Sequence, residues 1–419
     1  MKVKVQHFLY PLLLWPFVCS LGQDEPGLWT RFRGSNGKGI DIVNSAPVTW
    51  DSSDYQWKIG LPGIGHSSPV VWDQKVFVTS ADNEKQVGYV IAVDQHNGTI
   101  LWQNEYKLSD LTMHKNNNLA APTPAVDESR LYFIWYTNEK TILTALAHDG
   151  TFRWHTEFEG ISARHGGGSS LMLTKSNVVF TRELETDSLI SSSWVAVNKQ
   201  TGETAWELER ETAEGNSFST PILVSGNAQT DQLIFTSQAH GFSSVAPATG
   251  EVLWERKDLL THRVVASPVY SKGIVIGCRK GEGVALVFDP NKNVVSDTAL
   301  YRLPRNISPY VPTPLINGEL LYLFMDNGTV ACVRLFTGEL LWKERPAGPI
   351  YGSPVCIDEK LYCITKAGKV IVMGASSEYE LLGINSLGDS SFSTPVMCSS
   401  GIIFRTLSNL LLVRNGQTE

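Results

Sequence analysis

The side chains best equipped for chemistry in this chain recur in one phase of its sequence. His66, Asn117 and Asn118, Arg164 and His165, Asn216, His262 and Arg263, Tyr310, Tyr351 and Phe392 each stand a few residues ahead of a Ser/Thr-Pro dipeptide or a decayed copy of one. Imidazole, guanidinium, carboxamide and phenol groups that converge in this way suit the recognition of a polar partner: a sugar, a carboxylated small molecule or an extended peptide. The competing expectation is that they satisfy loop carbonyls and fill a narrow, watery channel.

Catalytic signatures do not accompany them. Gly166-Gly167-Gly168-Ser169-Ser170 does not match the G-x-S-x-G elbow. Gly281-Glu282-Gly283 is followed by Val284–Phe288, which reads as a strand, whereas a phosphate-binding loop needs a helix behind it. The sequons at Asn97 and Asn327 coincide with hairpin Asn-Gly turns, and together with Asn306 they matter only in a host that glycosylates. No metal-type spacing of Cys or His is present, and no metal site is expected.

The element that must position these residues is the repeat itself. Ser68-Pro69-Val70-Val71, Thr123-Pro124-Ala125-Val126, Thr220-Pro221-Ile222-Leu223, Ser267-Pro268-Val269, Thr313-Pro314-Leu315-Ile316, Ser353-Pro354-Val355 and Thr394-Pro395-Val396 are copies of one unit. Ser169-Ser170-Leu171-Met172 reads as an eighth, with Ser170 in the proline place. The resulting spacings of 55, 46, 51, 47, 46, 40 and 41 residues are those of four-stranded propeller blades. Most copies are followed by a second signal, a polar residue and Gly with Trp four positions after the Gly, as in Asn97-Gly98…Trp102 and Thr201-Gly202…Trp206. The pair before the gap is tight-hairpin chemistry in which Gly accepts φ > 0. A Trp repeated once per blade is best used as a wedge against the next blade, burying on the order of 200 Å². Trp102, Trp154, Trp206, Trp254 and Trp342 are the expected wedges. Two turns, around Asp289-Pro290 and Ser377-Glu378, lack a following Trp and must use Leu or Tyr.

The predicted fold is all-β, an eight-bladed propeller of four-stranded antiparallel blades spanning residues 48–416. Too little chain follows Thr394-Pro395 for a whole blade. The missing outer strand should come from the N-terminal side, where Tyr55-Gln56-Trp57-Lys58-Ile59 leads into the first repeat and puts Trp57 at the docking position of blade eight.

The run Ala92-Val93-Asp94-x-x-Asn97-Gly98-x-x-x-Trp102, with Ala196-Val197-Asn198-x-x-Thr201-Gly202-x-x-x-Trp206 as a second copy, resembles the tryptophan-docking repeat of pyrroloquinoline-quinone-type (PQQ-like) propellers. The likeness extends over nearly the whole chain after the leader. Trp29-Thr30-Arg31-Phe32-Arg33-Gly34 matches the W-x-x-F-R-G opening of the non-enzymatic, bacterial branch. That branch implies a binding or scaffold propeller without cofactor, similar in organisation to the propeller lipoprotein of the outer-membrane β-barrel assembly machinery. The enzymatic branch would imply a PQQ- and Ca²⁺-dependent oxidoreductase, but those alcohol-oxidising members carry adjacent cysteines and long roofing insertions that this chain lacks. A polysaccharide-binding module is a third reading.

The composition, 42% apolar and 18% charged with 35 Gly and 20 Pro, agrees with an all-β class. Residues 1–22 read as a secretory signal: Lys2 and Lys4, an apolar run from Phe8 to Val18, and small residues before a cut near Gly22. The run is too short to span a membrane. Lipidation at Cys19 is disfavoured by the bulky Phe17 and Val18. The chain is then periplasmic or secreted, with residues 23–47 as an N-terminal extension. The formal charge of -7 includes no basic stripe, which excludes nucleic acid as a partner and leaves a protein, peptide or glycan. Cys356 and Cys363 flank the turn Asp358-Glu359-Lys360 and could face each other in a disulfide, although buried free thiols are the expected state.

Overall fold

The computed structural model describes residues 28–41, 46–110, 112–161, 165–183, 192–211, 217–226 and 230–415. The cleavage site near Gly22 and Cys19 fall outside them. Eight sheets occur among the described residues, each built on an antiparallel run of neighbouring strands, in chain order except where segments from upstream of blade 1 join two of them. Blade 1 is Val70–Trp72, Lys75–Asp82, Val87–Asp94 and Ile100–Lys107, and seven more blades follow at the repeat spacing. The apolar core is divided accordingly. It forms clusters that join facing residues of neighbouring blades, such as Ile134 and Tyr136 of blade 2 with Val178 and Phe180 of blade 3.

Local chemistry builds each hairpin and then aims its Trp. In blade 1 the Asp94 carboxylate accepts the backbone N–H groups of His96 and Asn97, and Gly98 follows with φ of 75°. Asn198 does the same for Gln200 and Thr201, which is why the motif carries Asp or Asn three residues before the polar-Gly pair. One residue before the Trp the ladder slips. Ala92 faces Trp102 while Val93 faces Ile100, leaving Leu101 as a bulge, and the same slip precedes Trp154, Trp206, Trp254 and Trp342. A bulge bends its strand and re-aims the next side chain. The ring then lies over the turn glycine of the following blade: Trp102 on Gly150, Trp154 on Gly202, Trp206 on Gly250. Each indole N–H donates to a carbonyl of that turn, to His148, Lys199 and Pro247 respectively, at 3.0–3.1 Å.

The two Trp-less blades solve the interface differently. Tyr301 stands opposite Ala285 as Trp102 stands opposite Ala92, covers Gly338 and donates its hydroxyl to the Leu335 carbonyl at 2.8 Å. In blade 7 the docking position is Gly383, and Val48 and Thr49 lie against it. Trp50 fills the interface from outside the blade, stacked 5.3 Å from Phe404 of blade 8, with its backbone N–H held by the Asn385 carboxamide.

The Ser/Thr of every repeat has a role in ring closure. The backbone N–H of Ser68 donates to the Thr123 hydroxyl, Thr123 to Ser170, Ser170 to Thr220, and so through Ser267, Thr313, Ser353 and Thr394 back to Ser68, at 3.0–3.2 Å. This belt corrects the sequence register in blade 3. Ser170 is the hydroxyl of the unit and Leu171 takes the proline place, so the strand Met172–Leu173 aligns with Val70–Trp72. Ser169, the residue read as the hydroxyl, is buried behind the belt, with its Oγ 3.4 Å from the Ser219 carbonyl.

Residues upstream of blade 1 do two things. Tyr55–Gly60 pairs antiparallel with Asn409–Arg414 as the outer strand of blade 8. Trp57 covers Gly98, and its indole donates to the Gln95 carbonyl at 2.8 Å, completing the circle of docking contacts at the 8–1 junction. The W-x-x-F-R-G segment, expected only as an extension, enters the central channel. Trp29 bridges Val71 on the inner strand of blade 1, the Thr30 carbonyl accepts the N–H of Val126 in blade 2, and Ile40–Asp41 runs parallel to Cys356–Ile357 on the inner strand of blade 7. Trp29, Arg31 and Arg33 are buried there. The channel is plugged by the chain's own beginning.

All five described cysteines are free and buried. Cys356 pairs with Leu361 rather than Cys363, whose thiol is turned to the Gly352 carbonyl, so no disulfide forms across that hairpin.

Candidate functional site

The loops entering the inner strands end at the belt, and above it opens a funnel of about 440 Å³. All eight belt hydroxyls line it, together with Phe32 of the plug. Each belt oxygen already accepts a backbone N–H, so its own proton is free to point into the lumen.

Of the residues picked from the sequence, His66, Asn117, His165, Arg263, Tyr310, Tyr351 and Phe392 line this funnel. Asn118 does not. It is buried, where its carboxamide accepts the N–H of Ala120 at 2.7 Å and reaches Asn83, which is the loop-satisfying role. His262 is exposed, with its Nδ1 3.4 Å from the Thr261 hydroxyl, and is not part of the lining. Arg164 and Asn216 lie outside the described residues. His114 and Asn116 join the lining beside Asn117, from the long loop that makes the first repeat spacing 55 residues. Phe32 and Lys280 join without any sequence signal that marked them, one from the plug and the other from a hairpin tip.

Side-chain bridges span the mouth. Arg263 Nη1 lies 3.1 Å from His165 Nε2. A guanidinium only donates, so the imidazole nitrogen is the acceptor in this contact. His165 stacks on His114 at 5.5 Å. The Asn116 amide donates to the Tyr351 hydroxyl at 3.3 Å, linking blade 1's exit loop to the entry loop of blade 7. Lys366 Nζ sits 4.4 Å over the Tyr351 ring and 5.3 Å from that of Phe392.

The electrostatics are one-sided. Among the described residues the lining contains no Asp or Glu, although acidic residues outnumber basic ones in the chain, 42 to 35. Asp326, whose charge reaches Tyr310 and Tyr351, is turned to the Val311 N–H, and burial lifts its carboxyl to about 6. His66, stacked 4.4 Å from Phe392, is pushed down to about 3, first by burial and then by the charges of Arg405 and Lys366. Arg405 is itself fully buried. It donates to the Ser67 carbonyl at 2.9 Å, while its Nε and Nη2 have no partner.

The depression of His66 has a measurable consequence. Its folded-state value lies below the unfolded one, so its contribution to stability is complete above pH 6.5 and is lost as pH falls toward 3. At pH 5 the loss is about 2 kcal/mol. Comparing denaturant unfolding at pH 7 and pH 5, the drop in stability should be smaller by that amount in His66→Phe than in the parent. Equal drops would show that His66 protonates freely in the folded protein.

Comparison with known proteins places the architecture. A family model described as outer membrane protein assembly factor BamB matches residues 47–121 and 86–296. The chain belongs to this PQQ-like propeller repeat family. No curated protein matches the sequence. Among solved structures, a europium-containing methanol dehydrogenase shares 11% identity over 92% of this chain and 91% of its own, with a TM-score of 0.69. BamB from Moraxella catarrhalis shares 13% over 85% and 98%, with a TM-score of 0.59. A quinohemoprotein alcohol dehydrogenase from Comamonas testosteroni shares 12% over 95% and 82%, with a TM-score of 0.67. At such identities the likeness is one of fold, shared by catalysts and scaffolds alike.

The donor set of the funnel does not suit the quinone–calcium pair. Calcium takes 6–8 oxygen ligands with carboxylates prominent among them, and the described lining supplies hydroxyls, amides and cations instead. No group of three or more His, Cys, Asp or Glu able to hold a metal ion occurs among the described residues.

Proposed function

We propose that this chain is a non-catalytic binding propeller, exported to the periplasm or secreted, which recognises a protein or peptide through its funnel mouth. The observation that carries the reading is the lining: aromatic rings and hydrogen-bond donors held by cross-mouth bridges, with no described carboxylate placed as a base. Dehydrogenation of an alcohol requires a group to take the hydroxyl proton, and Asp326 is engaged with a backbone amide and set back from the lining. Among the described residues no helix is long and apolar enough to cross a membrane, in keeping with an exported protein whose leader ends near Gly22.

The test is affinity capture from periplasmic or culture extract, comparing the parent with a variant carrying His66→Ala, His165→Ala and Arg263→Ala. The reading expects a discrete partner retained by the parent and lost by the variant. A partner held equally by both would remove the funnel from its role. The oxidoreductase alternative is tested separately with PQQ and Ca²⁺: cofactor absorbance that appears on reconstitution, with turnover of a primary alcohol, would overturn the non-catalytic reading.

A further inference from the structure

Resting on that reading, we infer that the funnel captures the C-terminal end of a polypeptide, holding a free carboxylate together with an apolar final side chain. The argument begins with shape. The plug closes the channel, and Phe32 at its turn faces the funnel. A ligand must enter and leave by the same mouth, so a chain can insert an end but cannot be threaded through. The volume of about 440 Å³ accommodates a segment of a few residues, not a folded domain.

Polarity then selects which end. An amino terminus is a cation that needs acceptors, and the described lining has no carboxylate to offer it. Donors are abundant. The eight belt hydroxyls keep their protons for the lumen, and the Arg263 guanidinium lies in the wall beside His165. Lys280 projects into the funnel, and Lys366 stands over Tyr351 and Phe392 at its edge. Neither lysine has a carboxylate partner among the described residues. Behind the wall, Arg405 is buried with two guanidinium nitrogens unpartnered, adding positive potential without filling the pocket. A carboxylate in such a place gains charge-assisted hydrogen bonds in a partly desolvated site. The remaining wall is aromatic. Phe32, Phe218 and Phe392 line it, which suits an aromatic or large aliphatic side chain next to that carboxylate.

The experiment uses acetylated pentapeptides, randomised at four positions before a C-terminal Phe, prepared as free acids and as carboxamides, with N-acetylphenylalanine alongside. Binding to the full chain is read by fluorescence anisotropy after selection. Free-acid peptides are expected to bind at least tenfold more tightly than their carboxamides. That advantage should fall about tenfold in the Lys280→Met, Lys366→Met double variant, which keeps both alkyl stems, and should shrink with added salt. Equal binding of acid and carboxamide overturns C-terminal capture but leaves peptide recognition standing. N-acetylphenylalanine binding as tightly as the selected peptides overturns the polypeptide source in favour of a small aromatic acid. Absence of binding by either peptide pool, with the captured partner still lost in the triple funnel variant, overturns this inference alone. If that partner is also retained by the triple variant, the proposed function fails with it.

Discussion

A chain that begins at Leu61 is expected to lose its cooperative unfolding transition and to expose apolar surface to a reporter dye. Three separate contributions leave together. The outer strand Tyr55–Gly60 is removed from blade 8, which exposes the edge of Asn409–Arg414. Trp57 is lost from the 8–1 junction and Trp50 from the 7–8 junction, where blade 7 has Gly383 in the docking position and no wedge of its own. The plug vacates the channel, taking the buried Trp29 with it. In the intact protein one continuous apolar cluster includes Trp29, Trp50 and Trp57 with residues of blades 7, 8 and 1. Deletion of a buried Trp side chain costs roughly 3–5 kcal/mol. Two or three such losses equal the whole stability of a typical domain, about 5–15 kcal/mol. Trp57→Ala alone should then lower the unfolding midpoint without abolishing the transition. A chain truncated before Leu61 that melts sharply at the parent temperature would show that the ring closes without its beginning.

The parts of this architecture that are local were legible from residues alone. Asp94 and Asn198 cap their own turns, Gly98 and Gly202 adopt the conformation their turns demand, and the Trp follows on the next strand, all within eleven residues. The closing strand was legible too, because Trp57 repeats the local pattern even though its partner strand lies more than 300 residues away. What the pattern could not convey was substitution of one part by a distant one. Trp50 replaces the missing wedge of blade 7 by arriving from another segment, and no spacing rule connects position 50 to Gly383. The plug was invisible for a similar reason. Trp29 and Thr30 pair with the free inner edges of strands, and those edges exist only once the ring has formed. At the funnel, the phase of the repeat found the mouth, since His66, His165, Arg263, Tyr310 and Tyr351 all lie there. Phase alone could not separate His262 from Arg263, neighbours in one entry loop of which the first is exposed and the second stands in the funnel wall.

Replacing Gly202 by Ala is expected to cost about 1–3 kcal/mol more than replacing Gly318 by Ala, although both glycines sit in hairpins with positive φ, 79° and 60°. The shared left-handed conformation penalises any L-residue by roughly 1–2 kcal/mol, so backbone strain is common to the two variants and cancels in the comparison. The surroundings differ. A Cβ at Gly318 meets nothing within 4 Å, whereas one at Gly202 would stand 2.7 Å from Cδ2 of Trp154 and 2.9 Å from two further ring atoms. The indole cannot retreat without giving up its hydrogen bond to the Lys199 carbonyl and its place among Tyr132, Val195 and Val197. The excess cost therefore measures the docking contact itself. In a Trp154→Ala background the obstruction is gone, and Gly202→Ala should become about as costly as Gly318→Ala, giving a coupling energy of the same 1–3 kcal/mol in a double-mutant cycle. If the excess persisted without the indole, the turn rather than the wedge would be the source of the cost, and the blade-to-blade contact would have to be assigned elsewhere.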